Sequence, residues 1–229
     1  MSGAKCSRLA IGPLWGVIFA LAGGLAAWAL IGALIPAFPE VSWPAWPSDE
    51  VKARLTAAQA RIDCSNQALA MGILGAVLGA AMAIGEGVVR RSLGTALVGG
   101  VILAIAGALA GGLAGLVGHT LYQAWEMRAA NVPLVNTLVM HAAVLGTLGG
   151  GIGLGLGLLA HRATSAAVHL FLGILAGGLA GVFYPFLAGF CLPNVCTNTL
   201  IPEASAERLL WLGLATGLIG LIVPGTARK

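Results

Sequence analysis

Uncharged apolar runs longer than the roughly 18 residues that mark a membrane-spanning helix recur along this chain. Charged residues make up only 9% of the sequence, and apolar residues make up 59%. A soluble domain is typically about 25% charged, so the bilayer is the natural solvent for most of these side chains. The pattern therefore predicts an all-α membrane protein in which residues 1–229 form a single polytopic membrane domain.

Six apolar segments are separated by shorter stretches that contain charged residues, proline or tryptophan. We predict transmembrane helices near residues 9–36, 68–89, 95–122, 134–160, 165–190 and 207–224. The first segment is too long for the apolar core of a cleaved signal peptide, so we expect it to be retained as a span. An even number of spans places both termini on the same side of the membrane.

Basic residues predict which side that is. They occur without acidic neighbours in the tails and in two very short connections: Lys5, Arg8, Arg90, Arg91, Arg162, Arg228 and Lys229. Because such residues favour the cytoplasmic side, we predict an integral protein of a bacterial inner (plasma) membrane with both termini in the cytoplasm. The basic residues are dispersed and form no patch with interleaved aromatics, so nucleic acid is not an expected partner.

A repeated sequence unit organises the spans. The hexapeptide Leu-Ala-Gly-Gly-Leu-Ala begins at Leu21, Leu109 and Leu175. The span after each hexapeptide contains Leu-Gly and a second Gly four residues beyond the first, beginning at Leu74, Leu145 and Leu212. We therefore predict three repeated helical hairpins, each formed by a hexapeptide span and the span that follows it, with a longer turn in the first.

Glycine recurs at every fourth position within the spans. The clearest rows are Gly107, Gly111 and Gly115 in the third span and Gly173, Gly177 and Gly181 in the fifth. Residues four apart share one face of a helix. Lipid tails are as apolar as leucine, so spans are held together by close backbone contact over such small residues. Gly-rich close packing, with little room for a wide aqueous pore, is the predicted result.

The first long loop has room for a further helix. Ser48 is a suitable N-cap, and Asp49 and Glu50 favour the first turn that would follow it. Apolar residues then recur at helical spacing beside basic ones, which predicts an amphipathic helix near residues 48–64. It would lie on the outer membrane surface or cap the bundle; the alternative is a packed connector that binds no partner.

Glu86 is the one acidic residue placed clearly within a predicted span. Ionisable residues inside a membrane are functional candidates, so Glu86 is a candidate proton or cation site. Its position four residues before Arg90 also favours a simple ion pair near the membrane surface.

His119 and His141 lie near the outer ends of the third and fourth spans. Antiparallel neighbouring spans would place them at similar depth, where two histidines on facing helices can bind a cofactor such as haem. The simpler alternative is that each histidine forms a hydrogen bond with a carbonyl group. No metal site is predicted, because the remaining histidines lie elsewhere.

Three cysteines are predicted on the outer side, where a structural disulfide is permitted. Cys191 and Cys196 can close a small turn, and Cys64 can instead pair with either of them. A redox role is the weaker alternative, because nothing in the sequence marks a reactive thiol.

The sequence contains neither the catalytic motif of a metalloprotease or a serine hydrolase nor the motif of a phosphate-binding loop. The favoured interpretation is a non-enzymatic polytopic membrane protein without a cofactor, serving as an accessory or scaffold subunit that packs with itself or with other membrane subunits. The second interpretation is a small transporter or channel that uses Glu86 and the histidine pair. The third is a haem- or pigment-binding subunit that uses His119 and His141.

Overall fold

The computed structural model describes residues 3–127, 132–159, 163–192 and 197–223, and these residues form six α-helices without a strand. The helices are α1 (Gly3–Leu34), α2 (Asp49–Arg90), α3 (Leu93–Ala124), α4 (Leu134–Leu159), α5 (Ala163–Cys191) and α6 (Ser205–Ile222). All six contain a segment long and apolar enough to cross a membrane. The prediction of an all-α membrane protein with six spans is confirmed at this level.

The helices alternate in direction, which gives the bundle two different ends. At the end that we call the basic end, α2 stops at Arg90 and α3 begins two residues after Arg91. At the opposite end, which we call the connector end, the chain passes from α1 to α2, from α3 to α4 and from α5 to α6 through longer segments. The connector end is therefore where loops of the chain are long enough to shape a site.

The second helix is longer than the sequence predicted. Ser48 is the N-cap, as expected, and its Oγ accepts a hydrogen bond from the Val51 amide at 3.4 Å. The helix then continues for 42 residues, or about 63 Å at 1.5 Å per residue. The predicted amphipathic helix near 48–64 is therefore not a separate element: Ser48 is the N-cap of α2, and the residues from Asp49 to Cys64 are its first turns. No Pro or Gly stands between Asp63 and Ala68 to end the helix.

The connector between α1 and α2 lies against this extension of α2. Asn66 holds it at one point, where its Oδ1 accepts hydrogen bonds from the amides of Ala37 and Phe38 at 3.1 and 3.0 Å. The Asn66 amide nitrogen donates in return to the Phe38 carbonyl at 2.9 Å. Farther along, Gln59 Oε1 accepts from the Val41 amide at 2.9 Å. These bonds fix the path of a segment that has no secondary structure of its own.

Consecutive helices pack against one another, and α1 packs against α6, so the bundle closes into a ring. The closest approaches are between α2 and α3 and between α4 and α5. A Cβ atom added to Gly107 would meet the carbonyl oxygen of Gly75, and one added to Gly173 would meet the carbonyl oxygen of Gly149. At both places the two backbones touch without an intervening side chain.

These closest contacts are between helices that are joined by the short connections at the basic end. The predicted hairpins joined α1 to α2, α3 to α4 and α5 to α6, and those helices do pack together, but less extensively. The pairing of α1 with α6 completes the ring: a Cβ atom on Gly220 would lie 2.7 Å from the Gly16 carbonyl oxygen, and one on Gly24 would lie 2.7 Å from Thr216 Oγ1.

The outer surface of the ring is apolar. On α3, the large side chains opposite the glycine row are exposed to between 54% and 72% of their surface: Leu97, Val101, Ile105, Leu109 and Leu113. On α5, Phe171, Phe186 and Phe190 are also exposed. Leucine and phenylalanine are suited to contact with lipid tails, so these faces meet the membrane while the glycine faces meet the neighbouring helix.

Candidate functional site

Four large polar or aromatic side chains form a buried cluster near the connector end. Tyr184 on α5, His141 on α4 and Trp211 on α6 have no exposed surface, and Glu207 on α6 is only 5% exposed. We call these four residues the buried cluster. Burial of a carboxyl group in an apolar bundle costs free energy unless hydrogen bonds compensate, so the contacts of Glu207 decide how the cluster is stabilised.

Tyr184 provides the compensating contact. Its hydroxyl group donates a hydrogen bond to Glu207 Oε1 at 2.6 Å, a short distance typical of a bond to a charged acceptor. Glu207 also lies in the first turn of α6, where the helix dipole favours negative charge. The carboxylate is therefore stabilised by a neighbouring helix and by its own helix, and it links α5 to α6.

His141 connects the buried cluster to the chain segment before α6. Its Nε2 donates a hydrogen bond to the Thr197 carbonyl at 3.0 Å. The imidazole ring contacts Tyr184 edge to face, with ring centroids 4.8 Å apart, and its centroid lies 6.5 Å from that of Trp211. Within the described part of the chain, His141 Nδ1 and Trp211 Nε1 have no hydrogen-bond partner although both are buried.

A cleft of about 580 Å³ opens at the connector end above the helices. Its walls come from the end of α1 and the connector that follows it, from α2, from the end of α3 and from the segment before α6. Three carboxylate residues line it, Glu40, Asp63 and Glu203, together with one basic residue, Arg208. Trp43 and Tyr122 contribute aromatic surface. We call this cavity the outer cleft.

Most polar side chains of the outer cleft are engaged in holding its walls. Gln59 Nε2 donates to Asp63 Oδ1 at 2.7 Å, in addition to fixing the connector through its oxygen. Arg208 donates from Nε to the Pro202 carbonyl at 3.0 Å and from Nη2 to the Glu203 carbonyl at 3.1 Å. In these two contacts Arg208 binds backbone carbonyls of the segment before α6 and not a carboxylate.

The segment from Thr197 to Pro202 separates the outer cleft from the buried cluster. The Thr197 carbonyl faces His141, whereas Leu200 and Pro202 line the cleft. Leu200 is only 1% exposed because its side chain also reaches the backbone of α3 at Gly118. One short stretch of chain thus forms the floor of the cleft and the cover of the cluster.

The two histidines predicted as a pair have different partners. His119 on α3 donates from Nδ1 to Gln67 Oε1 on α2 at 3.0 Å, whereas the contacts of His141 lead to α5, α6 and Thr197. In the described residues, no three His, Cys, Asp or Glu side chains come together in a group able to hold a metal ion. Haem or pigment binding by His119 and His141 stays a prediction.

Glu86 lies at the basic end, far along α2 from the outer cleft. Arg90 Nε donates to its Oε1 at 2.6 Å, the pairing that the four-residue spacing indicates. The Glu86 side chain is 20% exposed and that of Arg90 is 46% exposed, which is consistent with an ion pair at a membrane surface. Glu86 thus lies at the opposite end of the bundle from His119 and His141 and shares no site with these two residues.

The predicted disulfide is described only in part. Within the described residues Cys64 and Cys191 form no disulfide; the first is half-buried and the second is exposed. Cys196 lies outside the described residues, so a bridge between Cys191 and Cys196 stays a prediction. Arg162, which supported the predicted orientation, also lies outside the described residues.

The sequence singles out His141 but not the residues it packs with. Tyr184 and Trp211 lie inside apolar segments and Glu207 stands at the edge of the sixth predicted span, so nothing in the spacing relates them to His141. The one local signal was the acidic residue at the start of α6 four positions before a tryptophan, which puts both on one helix face.

The chain matches no protein-family model, no curated protein and no solved structure.

Proposed function

We propose that this chain is a non-enzymatic scaffold or accessory subunit of a membrane complex, built to hold a fixed shape in the bilayer. The observation that carries the proposal is the backbone contact between helices. Gly111 faces the Met71 carbonyl and Gly177 faces the Leu145 carbonyl so closely that a Cβ atom would overlap either oxygen. A bundle joined in this way has little freedom for its helices to slide or separate.

The same contacts support the interpretation of a repeated unit with Gly-rich packing. Gly111 and Gly177 are both the third residue of the hexapeptide, one in α3 and one in α5. Both lie against a carbonyl oxygen of the helix that precedes them in the chain. In α3 and α5 the hexapeptide span therefore pairs with the preceding span, which supports a repeat that preserves a packing surface and not a polar site.

The polar side chains within the spans also favour a structural role. His169 is bonded to Ser165 one turn away, and Thr216 donates to the Leu212 carbonyl. Tyr184 and Glu207 are bonded to each other. These contacts satisfy the polar groups that take part in them, as expected of a stable bundle.

The transporter alternative makes a different prediction for Glu86. Under the scaffold proposal, purified protein in liposomes gives no proton or cation flux with a pH-sensitive dye inside, and Glu86→Gln behaves as the wild type. The ion pair that is lost stabilises the protein by less than about 1 kcal/mol.

The scaffold proposal also predicts the mass of the native assembly. When the assembly is extracted in mild detergent and its mass is measured by light scattering, that mass is expected to exceed the mass of one chain.

Glu50→Gln is the matched control for this experiment. Glu50 forms the equivalent ion pair with Arg54, also four residues apart and also at 2.6 Å, but at the connector end. A wild-type flux that disappears in Glu86→Gln and persists in Glu50→Gln would replace the scaffold proposal by the transporter. A single colourless chain without partners, in gentle extraction at native expression levels, would also contradict the scaffold proposal.

We further infer that the basic end is cytoplasmic. The supporting observation is that Arg90 and Arg91 lie together at the turn between α2 and α3. Two single-cysteine variants test it: one keeps only Cys191, which is exposed at the connector end, and one keeps only Cys6. A membrane-impermeant maleimide should label the Cys191 variant in intact cells and the Cys6 variant only after permeabilisation. The reverse labelling pattern would mean that the connector end, and not the basic end, faces the cytoplasm.

A further inference from the structure

We propose that the outer cleft is a binding site for an organic polycation, a molecule that carries several amine groups on a short aliphatic chain. The cleft has a volume of about 580 Å³, which lies within the range of small-molecule sites. It is also preformed, because its walls are fixed by hydrogen bonds that Asn66 and Gln59 accept from the α1–α2 connector and that Arg208 donates to the segment before α6. A preformed cavity loses little conformational entropy on binding.

The charge of the outer cleft selects the class of ligand. Three carboxylates from three separate parts of the chain line it, against one guanidinium. Asp63 is engaged by Gln59. The Glu40 and Glu203 side chains are exposed and have no hydrogen bond or ion pair within the described residues. These two carboxylates are therefore available to a ligand, and they favour positive charge.

The distribution of the carboxylates favours an extended organic cation over a metal ion. A metal ion needs several ligands around one point, and the described residues contain no group of three acidic, histidine or cysteine side chains arranged in that way. Carboxylates supplied by the α1–α2 connector, by α2 and by the segment before α6 instead suit a molecule with charges at more than one position. The aromatic rings of Trp43 and Tyr122 provide apolar surface and a cation–π contact for its ammonium groups.

Spermidine is the probe for the test. The full chain is placed in nanodiscs of net-neutral lipid, so that the membrane itself does not attract the ligand, and binding is followed by titration calorimetry. We expect saturable binding of one molecule per chain, weaker binding of butylamine, and no displacement by Mg²⁺ at matched ionic strength. The paired variant Glu40→Gln with Glu203→Gln should bind spermidine about tenfold more weakly, because each partly exposed ion pair contributes roughly a two- to fivefold factor.

The matched control removes two other negative charges from the same end of the molecule. Asp49→Asn with Glu50→Gln changes exposed residues that pair with Lys52 and Arg54 and do not line the cleft. This variant should bind spermidine within about twofold of the wild type. If both paired variants bind spermidine equally weakly, the overall charge of the surface would explain the binding, and the proposal would be overturned. Unsaturable binding by the wild type, or displacement by Mg²⁺ as effective as by spermidine, would also overturn it.

Discussion

Replacing Gly177 by alanine will lower the melting temperature of the purified protein by roughly 6–12 °C. The new methyl group would overlap the Leu145 carbonyl oxygen on α4. That oxygen belongs to a helix backbone and is unable to rotate away, so α4 and α5 must move apart and lose contacts along their length. Overpacking against a backbone atom lies at the upper end of the usual range, at about 3 kcal/mol. The intrinsic fluorescence of the six tryptophans reports the transition.

The adjacent residue provides the control. Gly178 lies on the same helix, but a Cβ atom there would meet nothing within 4 Å. Alanine also favours the helix over glycine, so Gly178→Ala should melt at the wild-type temperature or above it. The same comparison applies to α3, where Gly111 faces the Met71 carbonyl and Gly112 has its nearest neighbour at 3.9 Å. Equal melting temperatures for Gly177→Ala and Gly178→Ala would show that the backbones of α4 and α5 do not touch.

The positions of the membrane helices follow from the sequence because the signal is local. The segments predicted for the third to sixth spans agree with α3 to α6 to within two residues at each end. A helix in lipid must satisfy its own backbone hydrogen bonds and be apolar along its length, and both requirements can be assessed from a single window of sequence.

The extent of α2 differs from the expected helix near 48–64 and span near 68–89. The sequence changes from charged to apolar around Cys64, between these two predicted elements. A change of polarity alters what surrounds a helix and does not end it; a helix ends at a residue that breaks its hydrogen bonds. None stands there, and Asn66 uses its side chain to hold the α1–α2 connector while its backbone stays helical.

The candidate site was only partly predictable because its residues are far apart in the chain. His141, Tyr184 and Glu207 meet through the packing of three helices, and no spacing rule within one helix relates them. The outer cleft depends further on the path of the α1–α2 connector, which is fixed by Asn66 and Gln59. The sequence shows that this loop is long, but it contains no information about what the loop packs against.

Packing links the buried cluster to the outer cleft. His141 bonds to the Thr197 carbonyl, and the residues that follow Thr197 form the floor of the cleft. Trp28 on α1 also donates to the Ser205 carbonyl at 3.3 Å, at the start of α6. The segment before α6 is thus held at Thr197 by α4, and the first residue of α6 is held by α1, so the stability of the buried cluster should determine how firmly the cleft keeps its shape.

Replacing Tyr184 by phenylalanine will therefore destabilise the bundle by about 1–3 kcal/mol. The substitution keeps the aromatic ring beside His141 and removes only the hydroxyl group that donates to Glu207 at 2.6 Å. Glu207 is 5% exposed, so the carboxylate has little access to water that would replace the lost bond. The expected measurement is a lower melting temperature, accompanied by faster proteolysis of the segment between α5 and α6.

A double-mutant cycle separates this hydrogen bond from a general loss of packing. Once Glu207→Ala has removed the acceptor, Tyr184→Phe should cost little more, because no buried carboxylate is left unsatisfied. The coupling between the two substitutions is then about as large as the effect of Tyr184→Phe alone. Glu203→Ala is the control, since Glu203 is exposed at the same end of the molecule and should not couple to Tyr184. Additive losses for Tyr184→Phe and Glu207→Ala would mean that the two side chains stabilise α5 and α6 independently, and the buried cluster would then not act as one unit.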